Sequence, residues 1–99
     1  MYKDFLGKKV IIRGNNSGVF FGTLVAKEGQ EVKLEKCRRL WYWDGAASLS
    51  QLAMEGVTRP SDCKFTVTVD SIIITDAIEV ISCTDKASNI IERVAEWRR

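Results

Sequence analysis

The sequence predicts a mainly β fold: a small, strongly bent antiparallel β-barrel of about five strands, interrupted by one short helix and closed by a C-terminal one. Three observations lead there. Five runs alternate or are rich in β-branched residues, and clusters of Gly, Asn, Ser or Asp separate them. Gly22 stands inside the second run, a place that strands keep for a bend or a bulge. Helix-opening signatures at Ser48 and Thr84 each precede apolar residues at helical spacing.

The first strand is Lys8-Lys9-Val10-Ile11-Ile12-Arg13, with Val10 and Ile12 on one face and Ile11 and Arg13 on the other. Gly14-Asn15-Asn16-Ser17-Gly18 ends it and supplies positive-φ positions for a hairpin; it reads as an ordinary turn rather than a phosphate nest. Val19 to Ala26 form the second strand, apolar on both faces, and Lys27-Glu28-Gly29-Gln30 the next turn. In Glu31-Val32-Lys33-Leu34-Glu35, Val32 and Leu34 point inward. Unbroken alternation would also send Lys36 and Arg38 inward, so a bulge is predicted near Glu35 to Lys36, with the strand continuing to about Trp43.

Ser48 and Gln51 fit a capping box that opens a helix over Ser48 to Glu55, and Gly56 ends it. Val57 to Cys63, with the single proline Pro60, is a loop. Lys64 to Asp70 alternates cleanly, placing Phe65, Val67 and Val69 on one face of a strand. Ile72-Ile73-Ile74 and Ile78 to Ile81 flank a break at Thr75-Asp76. From Thr84 a helix to Trp97 carries Ala87, Ile90, Ile91, Val94 and Ala95 on its apolar face.

A chain of 99 residues is read as one domain over 1–99, and 45% hydrophobic with 28% charged residues is a globular composition. The net charge of +2 does not by itself select a polyanionic partner. Cys37, Cys63 and Cys83 are odd in number and widely spaced, which reads as reduced, buried thiols. The complete absence of His removes imidazole acid–base chemistry, His-activated nucleophiles and the usual zinc sites. Asp44, Glu55, Asp62, Asp70 and Asp76 show no pairing motif. The chain is therefore read as non-enzymatic, with no metal or cofactor. No apolar run approaches a membrane span and the N-terminus lacks a signal-like apolar region, so an intracellular protein with no membrane partner is expected.

The candidate site is the segment Arg38 to Leu52, which holds two of the three Trp. Its ligand-binding candidates are Arg38, Arg39, Trp41, Tyr42, Trp43, Asp44, Ser48, Ser50 and Gln51, joined by Arg59. Three adjacent large rings cannot all face one core, and parity puts Trp41 and Trp43 together with Tyr42 opposite. Outward rings would stack on a flat, nucleotide-like ligand, with Arg38, Arg39 or Arg59 on its phosphates. Asp44, Ser48, Ser50 or Gln51 would add directional hydrogen bonds. The same rings could instead cap the barrel end, or form a protein interface.

Two resemblances can be named on these residues. Gly7 to Arg13, Gly18 to Ala26 with Gly22-Thr23-Leu24, and Glu31-Val32-Lys33-Leu34 resemble the first three strands of an Sm-like barrel, with Val69 to Ile81 as its closing pair. That implies a bent Sm-like or SH3-like barrel, a closed homo-oligomer and RNA as one partner class. Lys27-Glu28-Gly29-Gln30 and Thr75-Asp76 stand where that family carries Asp and Asn and an Arg-Gly, which makes RNA binding the second reading. Arg38 to Ala53, followed by Lys64-Phe65-Thr66-Val67, resembles a family of small uncharacterised bacteriophage proteins. It implies a phage protein in the host cytoplasm. The leading expectation is a binding protein that sequesters a nucleotide-derived host immune signal; the alternatives are RNA binding and inhibition of a host defence protein.

Overall fold

A computed structural model describes residues 1–99. The β-branched runs form a meander: after a 3-10 turn at Tyr2–Phe5, strands β1 (Lys9–Gly14), β2 (Val19–Glu28) and β3 (Glu31–Tyr42) pair antiparallel in sequence. Then come helix α1 (Leu49–Glu55), a 3-10 turn at Pro60–Asp62, strands β4 (Lys64–Phe65), β5 (Val69–Ile74) and β6 (Ala77–Ser82), and helix α2 (Asp85–Arg93). The fold is mainly β, a six-stranded antiparallel sheet with two helices.

β6 pairs with β1 at one edge of the sheet, and β3 has two neighbours on its far side. β5 lies against its first half, from Val32↔Ile74 to Cys37↔Val69, and β4 against its second half at Leu40↔Phe65. No ladder joins β5 to β6, so the expected barrel is realised as a bent, open sheet.

The bend has a local cause at the predicted bulge. Thr23 faces Glu35 and Phe21 faces Arg38, so β3 spends one residue more than β2 across this step, and Lys36 takes φ 51°. Gly22 sits opposite. A Cβ there would come within 3.1 Å of the Glu35 carbonyl oxygen and 3.2 Å of the Cys37 Cα, so a side chain would push the strands apart.

The sheet buries both faces. On the inner, concave side Val10, Ile12, Phe20, Leu24 and Leu34 form one core; on the outer side Ile11, Phe21, Leu40 and Phe65 pack beneath Leu52 of α1 and Ile91 of α2. This explains why β1 and β2 are apolar in adjacent positions: Phe20 and Phe21 serve different cores.

Two sequence expectations are corrected. Lys64 to Asp70 is not one strand: the ladder stops at Phe65, and Val67 and Val69 are exposed. At the break the Arg39 amide donates to Thr66 Oγ1 and the Thr66 amide to the Arg39 carbonyl, so a side chain replaces the ladder while the chain passes the bulge. α2 ends at Arg93, four residues before Trp97, because Val94 turns extended (ψ 130°). The tail then runs beside β4, where Glu96 bridges Phe65 and the Trp97 amide donates to the Phe65 carbonyl at 2.8 Å.

Candidate functional site

The bulge separates the adjacent arginines at the head of the segment. Arg38 lies on the outer face at 3% exposure, with its guanidinium surrounded by backbone carbonyls. Nε donates to Thr66 O at 3.0 Å, Nη1 to Ile91 O and Val94 O at 2.8 Å each, and Nη2 to Phe65 O at 3.2 Å. It thus satisfies carbonyls at the C-terminus of α2, which ends without a glycine cap. Burial pulls its pKa below the usual guanidinium value, while Glu96 opposes the shift. Arg38 leaves the set of ligand-binding candidates. Sequence parity assumed a single core, and the second core claims the face to which Arg38 points.

Arg39 takes the opposite face. Its guanidinium lies 4.4 Å from the centroid of the Phe20 ring, and Nη1 donates to the Ser17 carbonyl. Trp41 and Trp43 lie nearby, and with Arg39 and the Asn16-Ser17-Gly18 turn they line a groove of about 250 Å³. Trp43 is half-buried against the outer core, whereas Trp41 is 63% exposed. The Trp41 ring is nearly parallel to that of Trp97, with an 11° angle and centroids 6.1 Å apart. Lys64 Nζ lies 5.5 Å from the Trp97 ring centroid. Tyr42 is half-exposed and outside the groove.

The remaining candidates do not converge on this groove. Ser48 Oγ accepts from the Gln51 amide at 3.1 Å, and Gln51 Oε1 accepts from the Ala47 amide at 2.7 Å, so both side chains are committed to opening α1. Ser50 is exposed on the first turn. Asp44 and Arg59 pair at 3.5 Å beside Gly45, whose carbonyl accepts from the Thr58 amide. An exposed pair of this kind contributes little to stability.

Sequence reasoning missed two contributors. Trp97 and Lys64 complete the aromatic face, and no local signal marks the turn at Val94 that carries Trp97 there. Asp76 shows no pairing motif in the sequence, yet the structure does not leave it as a lone charge. Instead its Oδ2 accepts from the Asn16 and Ser17 amides at 2.8 and 3.0 Å, and Oδ1 accepts from the Ser17 hydroxyl. The first turn is therefore a nest filled from within, and these hydrogen bonds hold the Asp76 carboxyl below its ordinary range.

All three thiols are free. Burial pushes Cys37 up to about 11 and Cys83 up to about 12, which leaves both protonated and unreactive near neutrality. No group of three or more Cys, Asp or Glu is placed to hold a metal ion. No helix is long and apolar enough to cross a membrane.

The fold and the groove define a class: a small bent-sheet domain with an aromatic and cationic candidate binding face. The chain belongs to an uncharacterised family, described as a domain of unknown function (DUF6948), whose match covers residues 7–91. That span includes the whole groove and leaves Trp97 outside. No curated protein matches the sequence.

Proposed function

We propose that this is a non-catalytic, phage-encoded protein that sequesters a nucleotide-derived immune signal in the host cytoplasm, stacking the base on Trp41. The observation that carries the reading is a large ring left 63% exposed and lying nearly parallel to Trp97, with Arg39 and Lys64 close by. An open aromatic surface flanked by cations suits a flat, phosphorylated ligand. The groove, at about 250 Å³, is smaller than the roughly 300–1,000 Å³ of enclosed small-molecule pockets, so the ligand would lie on the face with one ring covered. The bacteriophage resemblance of Arg38 to Ala53 supports the biological setting, and the missing His supports a binding role over catalysis.

Assembly into a homo-oligomer belongs to the same proposal. β5 and β6 each keep one unpaired edge, and Ile73 and Ile78 are exposed beside them. The apolar second face of β2 does not argue for assembly, because Phe21 is buried beneath the chain's own helices. The openness of the aromatic face also favours a second reading, single-stranded RNA running across Trp41 and Trp97.

Calorimetric titration of the full chain with nucleotides, cyclic dinucleotides and short single-stranded RNA decides between them. The leading reading expects a saturable small nucleotide and a Trp41→Ala loss of about 1 to 3 kcal/mol in affinity, with the melting temperature nearly unchanged. Tight RNA binding that falls steeply with salt would favour the second reading. Trp41→Ala binding every ligand as tightly as the parent would sink both.

A further inference from the structure

A second, polar cleft lies between the entry to β1 and the start of α2, and the proposed function makes no use of it. It measures about 480 Å³ and is lined by Gly7, Lys8, Lys9, Thr84, Asp85 and Ser88, with Cys83 beside them. α2 is nine residues long, and its N-cap Thr84 Oγ1 accepts from the Ala87 amide at 3.0 Å and donates to the Met54 carbonyl at 2.8 Å. The amides of Asp85 and Lys86, at the first two helical positions, have no acceptor inside the helix. The partial positive charge of the helix start adds to these donors.

An independent observation marks the same place. Ser88, a lining residue of the cleft, is only 6% exposed, and its Oγ is the one buried side-chain polar atom in the chain without a hydrogen-bond partner. Its amide already donates to the Thr84 carbonyl at 2.9 Å, which leaves the hydroxyl as the unmet group. A buried hydroxyl is destabilising until something bonds to it, and native proteins leave few such groups unmet without a reason.

We propose that this cleft binds a phosphate-type oxyanion: the α2 amides and the Ser88 hydroxyl donate to its oxygens, and Lys8 and Lys9 supply positive charge. The charged groups facing it are not all favourable. Asp85 stands on the rim, and Lys9 is shared with Glu92 in an ion pair. Cys83 adds no opposing charge, because burial keeps its thiol neutral with a pKa of about 12. The balance sets definite signs: removing the Asp85 charge strengthens binding, and removing the Lys8 charge weakens it.

NMR titration of the isotope-labelled full chain tests the site, with inorganic phosphate in one arm and adenosine monophosphate in the other, at ionic strength held constant with chloride. The site requires saturable shifts of the Asp85, Lys86 and Ser88 amides in at least one arm. A tighter response to the free ion, or to the nucleotide, identifies which source of the phosphoryl group the cleft prefers. Ser88→Ala removes one hydrogen bond to the ligand and should weaken binding about fivefold. The variant should fold at least as well as the parent, since Ala favours helix and the unmet hydroxyl is gone. Asp85→Asn should tighten binding and Lys8→Gln loosen it. Three results would overturn the site: no saturable response in either arm, shifts confined to the Trp41 groove, or Ser88→Ala binding within about twofold of the parent. The amide map of the unsubstituted chain keeps the test decisive even if a variant fails to fold.

Discussion

The two faces of the sheet are held down by different means. The inner core closes on itself: β1, β2, β3, β5 and β6 supply its buried residues, and the bend at Gly22 and Lys36 brings them together. The outer core needs a lid, because its sheet residues Ile11, Phe21, Leu40 and Phe65 would face water without Leu52 of α1, Ile91 of α2 and Val94 just beyond it. Those helices span only seven and nine residues, too short to persist alone. Apolar contact holds both cores. Only the outer one also depends on a buried cation, Arg38, which ties the end of α2 to β3 and β4.

Neighbouring residues on β2 test the contrast most strongly. Phe20→Ala empties part of the inner core and Phe21→Ala part of the outer one, and each should cost about 3 to 5 kcal/mol of stability in denaturant unfolding. Hydrogen exchange should separate them: Phe21→Ala should release the amides of α1 and α2 while β1 and β2 stay protected, and Phe20→Ala should lower protection throughout the sheet. Equal loss everywhere in both variants would mean that the cores open as one unit.

Arg38→Ala comes next. It strands the buried Val94 carbonyl and takes one of two donors from the carbonyls of Phe65 and Ile91, and a loss of about 2 to 4 kcal/mol is expected, with fraying of α2 from its C-terminal end. Arg38→Lys should recover little of it, since one ammonium cannot reproduce a planar fork aimed at acceptors on two elements. A parent-like melting temperature for Arg38→Ala would remove the clamp from the comparison.

The smallest effect belongs to Asp76, which joins the β1–β2 turn to the β5–β6 turn at one end of the inner core. Its carboxyl is held below the ordinary value of 3.8, so the stabilisation is fully present above that pH and disappears as pH falls through the lowered folded-state value. Asp76→Asn should therefore melt earlier than the parent at neutral pH, and thermal scans should converge in strong acid. A gap that persists at low pH would show that the side chain acts through shape rather than charge.

Much of this architecture could be read from residue pattern. The strand runs, the bulge before Cys37, the Gly22 bend, both N-caps and the Gly56 stop follow from local chemistry, which the sequence carries directly. The site was legible in part: Arg39, Trp41 and Trp43 do share a groove, while Ser48 and Gln51 are taken up by α1. Arg38 was misread because alternation shows that a residue changes face and not whether that face is covered. Asp76 and Trp97 were missed for a related reason, since their partners lie about sixty and fifty-six residues away along the chain.

The bulge at Lys36 has a consequence for insertions and deletions. It absorbs one odd residue, so counting onward from Cys37 decides which residues of β3 face inward and which lie under the helices. Deleting Lys36 would restore simple alternation and leave the orientation of Arg39 and Trp41 unchanged. Deleting one residue between Cys37 and Leu40 would turn Trp41 toward the lid and bring its neighbours out to solvent. The identity of the exposed face is thus held in the phase of the strand, and a lineage could exchange it through a single codon gained or lost without altering any aromatic residue.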